Sequence, residues 1–267
     1  MADAWSPAQY ERFRSERAQP FWDLAALVEP RAVMRIVDLG CGTGENTVEL
    51  ARRSGGGSTV GLDSSPAMID RALKLHEGLE LALRERLSFV RGDIREFNPR
   101  REYSMVFSNA ALQWLKEHRE ILGRSLDALI PGGRLVVQMP ANDHETAQVT
   151  LDAMAHEEPW RARLEGVRPP SSTVAAPEAY VRMLGEVGFA DVDCHYHTFH
   201  HPMGSPAEIV EWCRATVLRR YLDLLDAGVR EPFVEALTAR LERAYGTRGH
   251  LTFKFRRLFI WARRPAE

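Results

Sequence analysis

Lysine is almost missing from this 267-residue chain: of 35 basic residues, only Lys74, Lys116 and Lys254 are lysines. Against 37 acidic residues the formal charge is −2, so there is no positive excess to hold a nucleic acid. Because arginine fills nearly every basic role, a lone arginine is weak evidence of an anion site. Cysteine is also scarce. Cys41, Cys194 and Cys213 lie far apart and form no CxxC pair. A disulfide framework is therefore excluded, and a reducing, cytoplasmic setting is expected. No apolar run approaches the ~18 residues of a membrane-spanning helix. The opening, MADAWSPAQYERFRSER, is polar throughout, so a secretory signal is not expected. Internal repeats and low-complexity tracts are absent as well.

What is present alternates. Short apolar runs at 35–39, Thr59–Leu62, Leu87–Val90, Met105–Phe107 and Arg134–Met139 read as strands. Between them, Glu45–Arg53, the segment opened by Ser65-Pro66, and His118–Leu129 read as helices, the last stopped by Pro131-Gly132-Gly133. Pro after a Ser cap is a strong helix start. Strands alternating with helices at this spacing imply βαβ units, right-handed crossovers and a doubly wound parallel sheet. Farther on, 145–157 and 178–187 read as helices around a Pro-rich connection at 168–177. Val192–Phe199 alternates like a strand, 206–246 reads as two or three helices, and Phe255–Ala262 as a last strand. The expected organisation is one α/β domain: an N-terminal helical lid over 1–30, a cofactor-binding core over 31–140, a helical connection over 141–190, and a helical cap over 205–248 before the last strand.

The strongest motif is Asp38-Leu39-Gly40-Cys41-Gly42-Thr43-Gly44, where the first strand meets a helix. Glycines there permit positive φ and close approach of backbone to a ligand. The next strand ends at Asp63, an acid placed to accept hydrogen bonds from ribose hydroxyls. Both lie at carboxyl ends of consecutive strands, where open α/β sheets bind ligands. A dinucleotide would set its pyrophosphate beside Asp38, and like charges repel. The amino group or sulfonium of S-adenosylmethionine suits Asp38 better. A redox role for Cys41 is not expected; a small residue is simply needed in the loop.

This segment resembles motif I of the class I S-adenosylmethionine-dependent methyltransferases. In order, Asp63 then matches the ribose acid, Gly92-Asp93-Ile94 the loop facing the adenine amino group, Asn109 the loop after strand four, and Pro131-Gly132-Gly133 the approach to strand five. The resemblance implies a Rossmann-like seven-stranded sheet, mostly parallel with a final antiparallel strand. It implies a cofactor site of Asp38, Gly40, Cys41, Gly42, Gly44, Asp63, Ser64, Met68, Asp93, Ile94, Asn109, Ala110 and Trp114, with S-adenosyl-L-homocysteine as coproduct. Trp5–Tyr10 with Phe13 and Glu16-Arg17, then 63–69, 109–115, 137–142 and 257–264, are similar to the trans-aconitate 2-methyltransferase subgroup. That narrower resemblance implies a carboxyl O-methyltransferase making a monomethyl ester of trans-aconitate. The region around Thr216–Tyr221 departs from the subgroup's pattern, which bears on the acceptor.

A carboxylate acceptor is already ionised at neutral pH, with a pKa near about 4, so no general base is required. No catalytic acid or base is assigned; positioning and exclusion of water do the work. A tricarboxylate needs cations for its unreacting ends, and arginine binds carboxylate bidentately. By position and resemblance the candidates are Arg17, Arg219 and Arg257, with Gln113 and Asn142 as amide donors and Tyr10 and Phe13 on the N-terminal helix. Surface ion pairs and ordinary packing are the competing explanations for these residues. His195, His197, His200 and His201 suggest a metal, but no Cys or acid pattern completes a ligand set, and none is expected. The expected partner is a small anionic carboxylate, with no nucleic acid and no membrane. Other readings stay open: another small dicarboxylate, a carboxylate on a carrier protein, or a cofactor-binding module without turnover. A dinucleotide oxidoreductase is disfavoured by the glycine spacing and Asp38.

Overall fold

The computed structural model describes residues 14–28, 33–167, 170–214, 216–247, 249 and 251–267. The first strand, β1 (Ile36–Leu39), is buried at all four positions, as the interior strand of a parallel sheet should be. It pairs in parallel with β2 (Thr59–Asp63) on one side and β4 (Tyr103–Asn109) on the other. β2 pairs in parallel with β3 (Leu87–Arg91), and β4 with β5 (Leu129–Pro140). Two long strands complete the sheet, β6 (Ala190–Met203) and β7 (Leu251–Arg263), giving the order β3-β2-β1-β4-β5-β7-β6. Arg264 N–H donates to Gly133 O at 2.8 Å, while Ala141 N–H donates to Arg256 O at 2.9 Å. Residue numbers thus rise along β5 as they fall along β7, so that pair is antiparallel. The chain reverses its direction of winding between β1 and β4, and ligands of open α/β sheets bind at the carboxyl ends beside such a switch.

The helices follow their local signals. After α1 (Arg14–Ala26), helix α2 spans Glu45–Arg53 with Gly44 as its N-cap, and α3 spans Pro66–Glu77. Ser65 caps α3 by accepting from Met68 N–H, with Pro66 in the first turn, where its missing N–H costs nothing. A short α4 (Leu81–Arg84) precedes β3, and α5 (His118–Ala128) leads into β5.

β5 begins earlier than expected. Pro131-Gly132-Gly133 lies inside the strand instead of ahead of it. Tyr103 faces Leu129 and Met105 faces Arg134, so six residues of β5 oppose three of β4. A bulge absorbs the difference, with Gly132 at φ 74°, a conformation glycine adopts without steric penalty.

The chain forms two compact units. The sheet unit comprises residues 20–140, 173–197 and 258–267. It contains α8 (Pro177–Val187), which follows α6 (Thr146–Ala155) and α7 (Arg161–Leu164) in sequence. The helical unit comprises the described residues within 14–19, 141–172 and 198–257, including α6, α7, α9 (Pro206–Arg214), α10 (Leu218–Leu222) and α11 (Ala227–Tyr245). It has its own core, built on Leu151, Met154, Trp160, Trp212, Tyr221, Phe233 and Leu241, with Trp160 set edge-on to Phe233 at 5.2 Å.

Candidate functional site

The glycine loop leaves β1 in a path only glycine tolerates. Gly40 has φ 81°, and a Cβ there would stand 2.2 Å from Ala111 Cβ, well inside van der Waals contact. Gly42 has φ 56°, but a Cβ there would meet nothing within 4 Å. The loop is thus packed below and open above. Gly40 and Cys41 N–H both donate to Leu62 O, at 2.7 and 3.0 Å. Asp63 ties the loop to the end of β2: Oδ2 accepts from Gly42 N–H and Oδ1 from Ser65 N–H, each at 2.9 Å. Those bonds hold its carboxylate at the rim, with lone pairs remaining for a ligand.

Asp38 is buried behind the loop and accepts from Thr47 Oγ1 at 2.7 Å. Burial pushes its carboxyl up to about 7, with Asp63 adding to the rise and the Thr47 bond opposing it. Burial, with Asp38 and Asp63 nearby, also pushes the Cys41 thiol up. Asp93 caps a short 3-10 turn, Ile94–Glu96, and holds Arg95 by an ion pair at 2.6 Å. That pairing keeps its carboxyl below the ordinary range. Ile94 Cδ1 lies 3.7 Å from where a Gly40 Cβ would be. The structure therefore gathers Asp38, Gly40–Gly44, Asp63 and Ile94 at the carboxyl ends of β1–β3, with Ser64 and Met68 exposed beside them.

Asn109 ends β4, and Ala110 follows at φ 53°, donating its N–H to Gln138 O at 2.8 Å. A 3-10 turn over Leu112–Trp114 leaves Trp114 largely exposed and Gln113 buried. Gln113 Nε2 donates to Ala110 O at 2.7 Å, and its Oε1 has no partner. Three residues absent from the expected site fix this turn. Thr173 Oγ1 donates to Gln113 O at 2.7 Å. His118 Nε2 meets Leu112 O at 2.9 Å, and Tyr180 Oη meets His118 Nδ1 at 2.6 Å. A carbonyl only accepts, so Nε2 carries the proton and Nδ1 accepts from the Tyr180 hydroxyl. No local sequence pattern marks the pairings of Thr173 with Gln113 and of Tyr180 with His118, because each spans 60 or more positions.

In the helical unit, Asn142 is buried with Oδ1 unpartnered. Arg219 is exposed and paired with Asp223 at 3.6 Å, one helical turn on. Arg257 differs from both. It is buried, its guanidinium lies 4.4 Å from the centre of the Phe255 ring, and its Nε has no hydrogen-bond partner. Among the described residues no carboxylate answers its charge. Burial pulls the guanidinium down to about 9. Tyr10 and Phe13 lie outside the described residues, and Arg17 belongs to α1 with its side chain outside them. His195 stacks on Phe259 and bonds Asp193 at 3.1 Å, and His197 approaches Asp23 at 3.9 Å. No group of three or more metal-ligating side chains occurs among the described residues.

The fold and the loop define a methyltransferase of the Rossmann-like class. A family model described as "Methyltransferase domain" matches residues 36–133. The structure resembles S-adenosyl-L-methionine-bound phosphoethanolamine N-methyltransferase 2 of Haemonchus contortus, with a TM-score of 0.59 at 20% identity over 92% of this chain and 52% of that one. It also resembles the YcgJ protein of Bacillus subtilis, with a TM-score of 0.62 at 14% identity over 92% and 98%. Trans-aconitate 2-methyltransferase of Methylobacterium radiotolerans is 38% identical over 100% of both chains. The enzyme of the same name from Acidovorax ebreus is 37% identical over 97% of this chain and 98% of that one. The chain belongs to the trans-aconitate 2-methyltransferase family. Among its described residues, no helix is long and apolar enough to cross a membrane.

Proposed function

We propose that this chain is a cytoplasmic enzyme that transfers a methyl group from S-adenosyl-L-methionine to a carboxylate of trans-aconitate. The products are a monomethyl ester and S-adenosyl-L-homocysteine. The observation that carries the reading is Arg257. A buried guanidinium without a carboxylate is costly to fold, and an arriving carboxylate relieves that cost. A dicarboxylate or tricarboxylate supplies one carboxylate to be held and another to react.

The sheet unit suits a cationic nucleoside. The open face of Gly42 admits a ligand close to backbone. Asp63 would accept from the ribose, and Ile94 and Asp93 would flank the adenine, with Ser64, Met68, Asn109, Ala110 and Trp114 at the rim. The cofactor supplies an electrophilic methyl on a positively charged sulfur. Asp38 is the buried acid nearest the loop; a cation there drives it to ionise and is held by it in turn. The acceptor arrives as an anion, so the chain's residues need only orient it and keep water away. Arg257 anchors an unreacting carboxylate bidentately. Asn142 is a further candidate for holding the acceptor in the helical unit and Gln113 in the sheet unit, with Arg17, Tyr10 and Phe13 the candidates carried from the sequence. Arg219, exposed and already paired, is the weakest of the assigned residues.

The test is mass-spectrometric detection of ester from S-adenosyl-L-methionine with trans-aconitate, run beside cis-aconitate, citrate and isocitrate. Trans-aconitate monomethyl ester forming well ahead of the others is the expected result. No ester despite intact cofactor binding would sink the acceptor assignment and favour another carboxylate.

A further inference from the structure

Gln138 is fully buried, yet among the described residues neither its Oε1 nor its Nε2 has a hydrogen-bond partner. Its backbone is satisfied, since Ala110 N–H donates to its carbonyl; only the side chain is unanswered. It stands on β5 directly opposite Asn109 of β4, and residues opposite one another in paired strands share a face of the sheet. Asn109 Oδ1 is also buried and unpartnered. The preceding pair in that register on the same face is Phe107 and Val136, both apolar and buried. A methionine at 138 would continue that surface at nearly the same volume without burying an amide. Folding alone therefore gives no reason for glutamine here, because an unpartnered buried amide opposes folding.

The strand order says which ligand it serves. The glycine loop, Asp63 and Asp93 lie at the ends of β1, β2 and β3, on one side of β4. Gln138 lies on the other side of β4, at the end of β5. A cofactor held at its nucleoside end by those acids would leave the ends of β4 and β5 to the acceptor. We propose that Gln138 is an acceptor-binding residue: its Nε2–H donates to the carboxylate that is methylated, orienting that group beside Asn109. This rests on the carboxyl-methylation reading above. The amide's own oxygen repels a second anion in the same place, so the residue admits one carboxylate in one orientation.

Two variants of the full chain test it, with kcat/KM for trans-aconitate, the Kd of S-adenosyl-L-homocysteine and Tm measured for each. Gln138→Met is expected to hold or raise Tm and leave the S-adenosyl-L-homocysteine Kd within about twofold. Its kcat/KM for trans-aconitate should fall at least about tenfold, the loss of one hydrogen bond to a charged group. Gln138→Glu keeps the shape but buries a carboxyl whose pKa burial raises. Its neutral form donates and its ionised form repels, so its kcat/KM relative to wild type should recover as pH falls from 8 to 6. Unchanged kcat/KM in Gln138→Met overturns the proposal. So does a parallel loss of Tm and cofactor affinity, which marks a packing role, or a Gln138→Glu profile that tracks wild type. Wild-type protein that neither binds nor esterifies trans-aconitate overturns both this and the acceptor reading. Active wild type with an unimpaired Gln138→Met overturns only the role of Gln138.

Discussion

Among the described residues, no carboxylate pairs with the buried charge of Arg257. The Phe255 ring offers a cation–π contact of about 1–2 kcal/mol when desolvated, less than the several kcal/mol that burying an ion costs. Replacing it with methionine removes the charge and keeps much of the volume. The unliganded protein is expected to gain about 1 kcal/mol or more, read as roughly 2–4 °C in Tm. Loss of a charge-assisted carboxylate bond is worth about 1.5–3 kcal/mol, so KM for the acceptor should rise roughly ten- to a hundredfold. Thermal unfolding and steady-state kinetics on Arg257→Met read both quantities. A variant that loses stability while keeping its KM would mean that Arg257 is a packing residue.

At the scale of elements, the turn after β4 is held from outside itself. Tyr180 on α8 donates to His118 on α5, and His118 in turn fixes Leu112 O. Removing the phenol hydroxyl leaves a buried ring nitrogen without a donor, at a cost of about 1–3 kcal/mol. Tyr180→Phe should therefore lower Tm by a few degrees. Because the same turn carries Gln113, it should also raise acceptor KM more than cofactor Kd. A drop in Tm with unchanged KM would confine the relay to stability. This relay also marks the limit of what the sequence makes legible. Helix α2 at Glu45–Arg53 and the Ser65-Pro66 start of α3 are written in local chemistry, a glycine cap and a Ser–Pro start. So is the coupling of the glycine loop to Asp63, because both close consecutive strands. The early start of β5 is not, since Pro131-Gly132-Gly133 reads as a turn until Leu129 pairs with Tyr103 across the bulge. Nor is Gln138 separable from the apolar run around it, because only its unanswered amide distinguishes it.

Over the whole molecule, two buried charges lie in different units and respond oppositely to pH. Asp38, in the sheet unit, has its carboxyl raised from 3.8 to about 7. The folded state therefore binds that proton more tightly than the unfolded chain does. Its contribution to stability is full below about pH 4 and is lost as pH rises to about 7. Arg257, in the helical unit, is lowered from 12.5 to about 9. Its contribution is lost as pH falls from 12.5 to 9, so at neutral pH the loss is complete and flat. Above pH 7 the unliganded protein carries both costs, and each ligand relieves a different one. A cation beside Asp38 must find or create the ionised form, so binding weakens toward tenfold per unit of pH below about 7. The rise in Tm produced by saturating S-adenosyl-L-methionine should thus be larger at pH 7.5 than at pH 5.5. The rise produced by trans-aconitate should be nearly constant between pH 6 and 8, where both the tricarboxylate and Arg257 keep their charge. Scanning calorimetry with S-adenosyl-L-methionine at pH 5.5 and 7.5, and with trans-aconitate at pH 6 and 8, decides the matter. Equal shifts with S-adenosyl-L-methionine would remove Asp38 from cofactor binding, and a trans-aconitate shift that disappears by pH 8 would point to a titrating group other than Arg257.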